Sequence, residues 1–256
     1  MANGATTLEF SKKEDVRKTT FERVWSEELD DVFKDIATYY DNANNVASLG
    51  LLPFYRKMFL RTIDVNPGER ALDVCAGTNA IGIALLNKER SLNVTAIDRS
   101  RSMQEVGRQR AQRNGFHIKS IIDDVHHLPF DDNSFDVVTL QFASRHLQLI
   151  QVFKEIHRVL RPGGRFYHSD MLRPPNKTVE KIHYAYLNFC LTATAAIFRS
   201  GPSALNLRKY FVEVLSLFYS PDEMSALLRE LGFVDVTCKT LIGGILGFHR
   251  AVKPEA

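Results

Sequence analysis

Residues 70–80, RALDVCAGTNA, constrain this chain more than any other stretch. A short apolar run leads to an acid, Asp73, then to a turn of small residues, then to the helical pattern of residues 81–86. Small residues after a strand let the backbone come close to a ligand, and the following helix offers unpaired amides, which together suit a nucleotide-like cofactor. About twenty-five residues on, a second apolar run ends at Asp98, placed to take the two hydroxyls of a ribose. An ordinary strand-to-helix turn is the competing reading, and Asp98 weighs against it.

The 256-residue length and 45% hydrophobic content suffice for one substantial α/β core. A net charge of +3 is too small to indicate nucleic acid, though it permits contact with anionic lipid. No separate recognition domain or strong basic cluster argues for a nucleic-acid partner either. Cys75, Cys190 and Cys238 are scattered without metal-ligand spacing, so no metal site and a reduced, intracellular setting are expected. The N-terminus is polar, without the apolar core of a secretion signal, and no run of about eighteen apolar residues occurs. The expectation is a cytoplasmic protein, soluble or peripheral to a membrane.

Residues 1–18 read as a loose polar arm. Residues 20–40 have helical spacing, with Phe21, Val24, Leu29, Val32, Phe33 and Ile36 apolar. In residues 44–65 a second amphipathic stretch sets Leu51, Leu52, Phe54, Met58 and Phe59 against Arg56, Lys57 and Arg61. Residues 1–65 are thus expected to form an N-terminal arm and helical lid. After the turn signal Asn66-Pro67-Gly68, strands are predicted at about 70–75, 93–97, 118–122, 135–141 and 165–170, with helices between them. That rhythm gives residues 66–256 a doubly wound α/β fold around a mostly parallel sheet. A helical insertion is expected at about 176–215, a helix at 221–231 closed by Gly232, and strands 234–240 and 246–251 as a hairpin-like pair that completes seven strands. Arg161-Pro162-Gly163-Gly164 reads as a helix stop and a reversing turn.

In IIDDVHHLPF, residues 121–130, a strand ends in two acids before a loop. Asp124 is placed to accept from an exocyclic amine while the backbone of Val125 meets a ring edge, an adenine subsite.

LDVCAGT, AIDRS, LPFDDNSFDVV and RVLRPGG, in that order, resemble a class I S-adenosylmethionine-dependent methyltransferase. YYDNANNVASLG at 39–50, FASRH at 142–146 and GGILGFHRAVK at 243–253 are similar to the ubiquinone/menaquinone C-methyltransferase (UbiE/MenG-type) family. The resemblance covers about residues 33–253 and implies a Rossmann-like, seven-stranded sheet. The cofactor it implies is S-adenosyl-L-methionine, bound by Tyr40, Asp73, Ala76, Gly77, Thr78, Asn79, Asp98, Arg99, Met103, Asp124, Val125 and Gln141. The partner it implies is a small-molecule or lipid-quinol substrate, with peripheral membrane contact through residues 51–61 and 184–198; a homodimer is compatible with it.

The chain departs from the family pattern at several positions. The family's first loop reads A-G-G-T-G-D; here it is Cys75, Ala76, Gly77, Thr78, Asn79 and Ala80, so two glycines and the acid are missing. Asparagine tolerates positive φ, so Asn79 is expected to keep the turn. The family's Arg-Asn pair is Arg145-His146, and the serine of its late Tyr-Leu-x-x-Ser motif is Val214. The resemblance implies C-methylation of a demethylated prenyl hydroquinone, with Arg145 stabilising a phenolate and His146 acting as base, Tyr40 and Asp41 closing the site. Turnover is then expected to rise through about pH 6–7. Two alternatives stay open: methylation of another phenol, amine or natural-product intermediate, and a methyltransferase fold that binds cofactor or lipid without turnover.

Overall fold

A computed structural model describes residues 7–198 and 208–255. Its sheet is built around β1 (Arg70–Val74), whose Ala71, Leu72, Asp73 and Val74 are all buried, the near-continuous apolar run of a strand covered on both faces. β1 pairs in parallel with β2 (Asn93–Ile97) on one side and with β4 (Phe135–Gln141) on the other. β3 (Lys119–Ile121) extends the first side; β5 (Leu160–Met171), β7 (Leu246–Val252) and β6 (Val234–Leu241) extend the second. The order is β3-β2-β1-β4-β5-β7-β6, with β7 antiparallel to both of its neighbours. The chain reverses direction of winding between β1 and β4, and the carboxyl ends of those strands are where such a sheet opens a ligand crevice.

Side chains alternate between two cores. Leu72, Val74, Val138 and Leu140 point to the layer that holds α7 (Leu149–Val159), whose Leu149, Val152, Phe153, Ile156 and Val159 recur at helical spacing. Ala71, Ala96 and Val137 point to the layer that holds α5 (Ala80–Lys88) and α4 (Leu52–Leu60), which contribute Ile83, Leu86 and Phe59. α6 (Arg101–Arg113) begins at Ser100, whose hydroxyl caps the Met103 amide. Beyond β5 come α8 (Lys177–Phe198), α9 (Arg208–Ser216) and α10 (Pro221–Glu230), the last opened by a Ser220–Glu223 capping box. Residues 199–207 of the expected insertion lie outside the described residues, as do residues 1–6 of the expected arm.

Three expectations need correction. The polar arm is a helix, α1 (Thr7–Arg23), which buries Phe10, Glu14, Arg17 and Phe21 along one stripe. The stripe has helical spacing, but two of its members are charged, so an apolar periodicity does not reveal it. Second, the helix expected over 20–40 is broken. A π-turn at Val24–Glu28, with the Leu29 amide bonded to the Val24 carbonyl, leads into α2 (Leu29–Ile36), and α3 (Tyr40–Ala47) starts separately. Third, the Arg161–Gly164 segment does not reverse the chain. It is an excursion within β5, where pairing to β4 jumps from Phe135↔Leu160 to Val137↔Arg165.

α1 is fastened by a buried ion pair between Arg17 and Glu14. Arg17 is fully buried against the rings of Trp25, Phe218 and Tyr219 and donates through Nη2 to the Arg145 carbonyl at 3.0 Å. Glu14 accepts from the Tyr219 hydroxyl at 2.8 Å and from the Leu149 amide at 2.6 Å, the first turn of α7. Glu14→Ala should therefore destabilise the protein by about 3–5 kcal/mol, the usual cost of stranding one buried charge. Glu14→Ala combined with Arg17→Met should recover much of that loss in urea unfolding; a double variant as unstable as the sum of its parts would contradict this account.

Candidate active site

At the carboxyl ends of β1, β2 and β4 lie two adjoining pockets. Tyr40, Cys75, Gly77, Gln141 and Phe142 line both, making one cleft. The first chamber adds Asp41, Asn44 and Arg56 from the lid, with Asp73, Ala76 and Thr78. The second adds Leu29, Phe33, Asp98, Arg99, Met103, Ala143, His146 and Leu147.

The β1–α5 loop owes its shape to positive backbone angles at Cys75, Gly77 and Asn79. Asn79 sits at φ +56°, as its tolerance of the left-handed region predicts, and is fully buried. Gln104 Nε2 on α6 donates to Asn79 Oδ1 and to the Gly77 carbonyl, each at 3.0 Å. α6 comes this close because of Gly107, where a Cβ would lie 2.8 Å from the Asn79 side chain. Asp98 Oδ2 accepts from the Gly77 amide and Oδ1 from the Ser100 amide, each at 2.8 Å, which fixes the carboxylate at the end of β2.

Asp73 accepts from Thr139 Oγ1 at 2.7 Å and from the Gly82 amide at 3.3 Å. Burial still dominates and pushes its carboxyl up to about 7. The acid lost at Ala80 has a counterpart from the lid: Asp41 accepts from Thr78 Oγ1 at 2.8 Å and pairs with Arg110 at 2.7 Å and Arg56 at 3.3 Å. Arg99 lines the second chamber and donates to the Trp25 carbonyl at 2.7 Å in the π-turn. Asp124 and Val125 are not brought into the cleft. Asp124 is exposed and held by His126 Nδ1 at 2.6 Å, and the Val125 side chain is buried in the core.

Arg145 and His146 come from a 3₁₀ turn, Ser144–His146, that follows β4. Both are buried, so the surface pairing one would expect of an arginine there does not occur. Arg145 Nη1 donates to Asp170 Oδ1 at 2.5 Å, while Ser144 Oγ donates to Asp170 Oδ2 at 2.5 Å. Arg145 lines neither chamber, but its charge reaches Tyr40, which does. His146 lines the second chamber, between the rings of Phe33 and Phe211. Burial, then Arg145, then Arg17 hold its imidazole well below the ordinary histidine range. The rise through pH 6–7 expected of His146 is therefore corrected: the ring is already neutral there. Val214, which stands where the family has a serine, packs in the core beside Trp25 and Tyr210.

Asp170, Trp25 and Tyr210 were not visible as site residues in the sequence. Asp170 carries the same signature as Asp98, an acid ending a strand. Trp25 carries none, since it reads as an apolar core residue, whereas Tyr210 opens the late motif in which Val214 replaces a serine.

The model of the ubiE/COQ5 methyltransferase family matches residues 21–253. The chain belongs to this family. It is 34% identical over 234 residues to a demethylmenaquinone methyltransferase of Staphylococcus epidermidis, covering 90% of this chain and 95% of that protein. It is 35% identical over 225 residues to one of Beutenbergia cavernae, covering 87% and 89%. Among solved structures it is similar to phosphoethanolamine N-methyltransferase 2 of Haemonchus contortus in complex with S-adenosyl-L-methionine, with a TM-score of 0.60 and 16% identity. That match covers 78% of this chain, which spans about half, 52%, of the Haemonchus chain. A putative methyltransferase of Bacillus halodurans matches with a TM-score of 0.58 and 17% identity, over 78% of this chain and 98% of that one. At such identities the structures show the fold alone. The family makes this chain a methyltransferase dependent on S-adenosylmethionine, and α1 lies almost wholly ahead of the matched residues.

The cleft fits that cofactor. Gln141 Nε2 and Arg56 Nε are buried without partners in residues that line it, and Asp98 and Asp73 add acceptors for hydroxyl and ammonium groups. Asp73 gives a pH test. Its folded pKa of about 7 lies above the unfolded value, so the native state holds a proton that the unfolded chain releases between about pH 4 and 7. Its contribution to stability falls as pH rises through that window. Asp73→Asn should accordingly gain about 2–3 kcal/mol on the wild type between pH 5 and pH 8 in urea unfolding. A constant difference would contradict the raised pKa.

Proposed function

We propose that this methyltransferase transfers its methyl group to a ring carbon of a demethylated prenyl hydroquinone. The observation that carries the reading is the second chamber: an apolar wall of Leu29, Phe33, Phe142 and Leu147 with His146 as a polar group inside it. A flat apolar ring with an ionisable oxygen suits such a wall. The named activity of the curated relatives supports the same substrate class.

When bound, S-adenosylmethionine supplies an electrophilic methyl group. Asp98 would hold its ribose, with Asp73 and Gln141 toward its amino-acid end and Met103 toward its base. The residues of the chain must position the acceptor and favour its anion. A phenol has a pKa near 10, and the carbon beside it becomes a good nucleophile only once the oxygen is ionised. Arg145, held by Asp170, would favour that charge through its field, and His146 would meet the oxygen. Positioning of the acceptor against Tyr40 and the lid supplies the rest.

A long-tailed hydroquinone resides in a bilayer, and the exposed Leu49, Leu51 and Phe54 beside Lys57 and Arg61 would dock the lid on an anionic surface. Arg56, expected on that rim, is instead turned to Asp41. Ile182 and Phe189 on α8 add exposed apolar area; the side chains of 194–198 lie outside the described residues. Among the described residues no helix is long and apolar enough to cross a membrane. The test presents a demethylated prenyl hydroquinone in anionic vesicles with methyl-labelled S-adenosylmethionine. The label should appear on a ring carbon and the protein should float with the vesicles at low salt. Label on oxygen or nitrogen would overturn the substrate reading; transfer without flotation would overturn the docking alone.

A further inference from the structure

His146 lines the second chamber beside the apolar Leu29, Phe33, Phe142 and Leu147, and its chemistry depends on which ring nitrogen carries the proton. That question is answered two residues away. Trp25 Nε1 lies 2.9 Å from the Tyr210 hydroxyl, and an indole nitrogen can only donate. Tyr210 oxygen is therefore an acceptor in that contact. Its own proton still needs a partner, because Tyr210 is buried among Phe21, Phe211 and Trp25. The remaining hydrogen-bond partner of that hydroxyl among the described residues is His146 Nδ1, at 2.5 Å. If Nδ1 carried a hydrogen, it would point at an oxygen whose own proton was left with no acceptor. The arrangement that satisfies every group runs from the Trp25 N–H to the Tyr210 oxygen, and from the Tyr210 O–H to the His146 Nδ1 lone pair.

We infer that Trp25 and Tyr210 are positioning residues that lock His146 as the Nε2–H tautomer, so that it offers a hydrogen-bond donor to the oxygen of the methyl acceptor instead of a base. This rests on the proposed hydroquinone substrate and deepens it. The charged and titratable groups around the ring agree. Arg145 on its own turn and Arg17 from α1 are both cations, and the nearby carboxylate of β5, Asp170, is engaged by Arg145 and Ser144. Tyr40 of α3 and Tyr210 of α9 are held neutral by burial. None of these groups stabilises an imidazolium. Where the family has an asparagine, whose amide can donate, this chain keeps a donor by other means.

The proton balance follows. The acceptor's O–H proton passes to solvent water as the phenolate forms under the N–H of His146 and the field of Arg145. A carbon–carbon bond forms as the carbon beside the oxygen takes the methyl group, and the methyl–sulfur bond of the donor breaks with its electron pair left on the now neutral sulfur. The C–H bond at that carbon then breaks, its electron pair restores the aromatic ring and its proton also passes to water, while the phenolate regains a proton on release. One proton is lost per methyl transferred, and His146 never changes protonation state.

The experiment is long-range ¹H–¹⁵N spectroscopy of the histidine rings in the full chain, with His146 assigned by its loss in His146→Asn. His146 should show a protonated Nε2 and a bare Nδ1, unchanged from about pH 5.5 to 8. Tyr210→Phe should alter the tautomer balance and bring a titration into that range, and lower kcat by about tenfold with a new pH dependence. Trp25→Phe, which keeps the Tyr210 hydroxyl but removes its indole donor, should loosen the lock and move the Nδ1 signal in the same direction by a smaller amount, which guards against a fold lost in Tyr210→Phe; no change at all would remove Trp25 from the inference. His146→Phe should lower kcat by about tenfold or more, and His146→Asn, with its amide donor, should recover most of that loss. A protonated Nδ1, an imidazolium above pH 6, or a ring spectrum indifferent to Tyr210→Phe would overturn the inference. The ring spectra need no substrate, so the tautomer stands or falls apart from the hydroquinone reading. If the tautomer is as stated and no methyl reaches a hydroquinone, only the substrate is wrong.

Discussion

The guanidinium of Arg17 is the contact on which the acceptor end of the cleft depends. Fully buried, it pairs with Glu14, lies against the rings of Trp25, Phe218 and Tyr219, and donates to the carbonyl of Arg145. From the other side, Asp170 holds the Arg145 side chain and the Ser144 hydroxyl. The 3₁₀ turn Ser144–His146 is thus gripped between the N-terminal helix and the end of β5. A buried ion pair contributes little net stability over an apolar replacement, yet removing one partner is costly. Its consequence here is a fixed geometry: a turn after a central strand that cannot rotate away from the cleft.

The same economy of charge explains a neutral histidine in such a place. Burial, Arg145 and Arg17 all act against an imidazolium. With Asp170 already paired to Arg145 and Glu14 to Arg17, a histidine there is better suited to donate a hydrogen bond than to take a proton. At the cofactor end Asp73, Asp98 and Asp41 crowd the β1–α5 loop; Asp41 is paired with Arg56 and Arg110, and the raised pKa of Asp73 marks a carboxyl whose burial outweighs its hydrogen bonds.

Much of this was legible in the sequence. The strand, acid, small turn and helix of residues 70–86 mark β1 and its loop, and Asn79 adopts the positive φ that its side chain permits. The five parallel strands and the final antiparallel pair follow from apolar runs bounded by turn residues. What was not legible depends on charge and on distance in the chain. α1 looks like a polar arm because its buried stripe includes Glu14 and Arg17, whose partners Leu149, Arg145 and Tyr219 lie more than a hundred residues away. For the same reason nothing local links Trp25 to Tyr210, or Asp170 to Arg145. Asp124, read from the sequence as an adenine contact, is exposed and paired with His126 Nδ1.

The most direct measurement is a crystal structure of the protein with S-adenosylhomocysteine and a demethylated prenyl hydroquinone. The account predicts one hydroquinone oxygen within hydrogen-bond distance of His146 Nε2, with the ring against Phe33 and Phe142. It also predicts that Tyr210 still bridges Nδ1 to Trp25. A hydroquinone bound elsewhere, or an oxygen that meets only water while His146 Nε2 turns away, would contradict it.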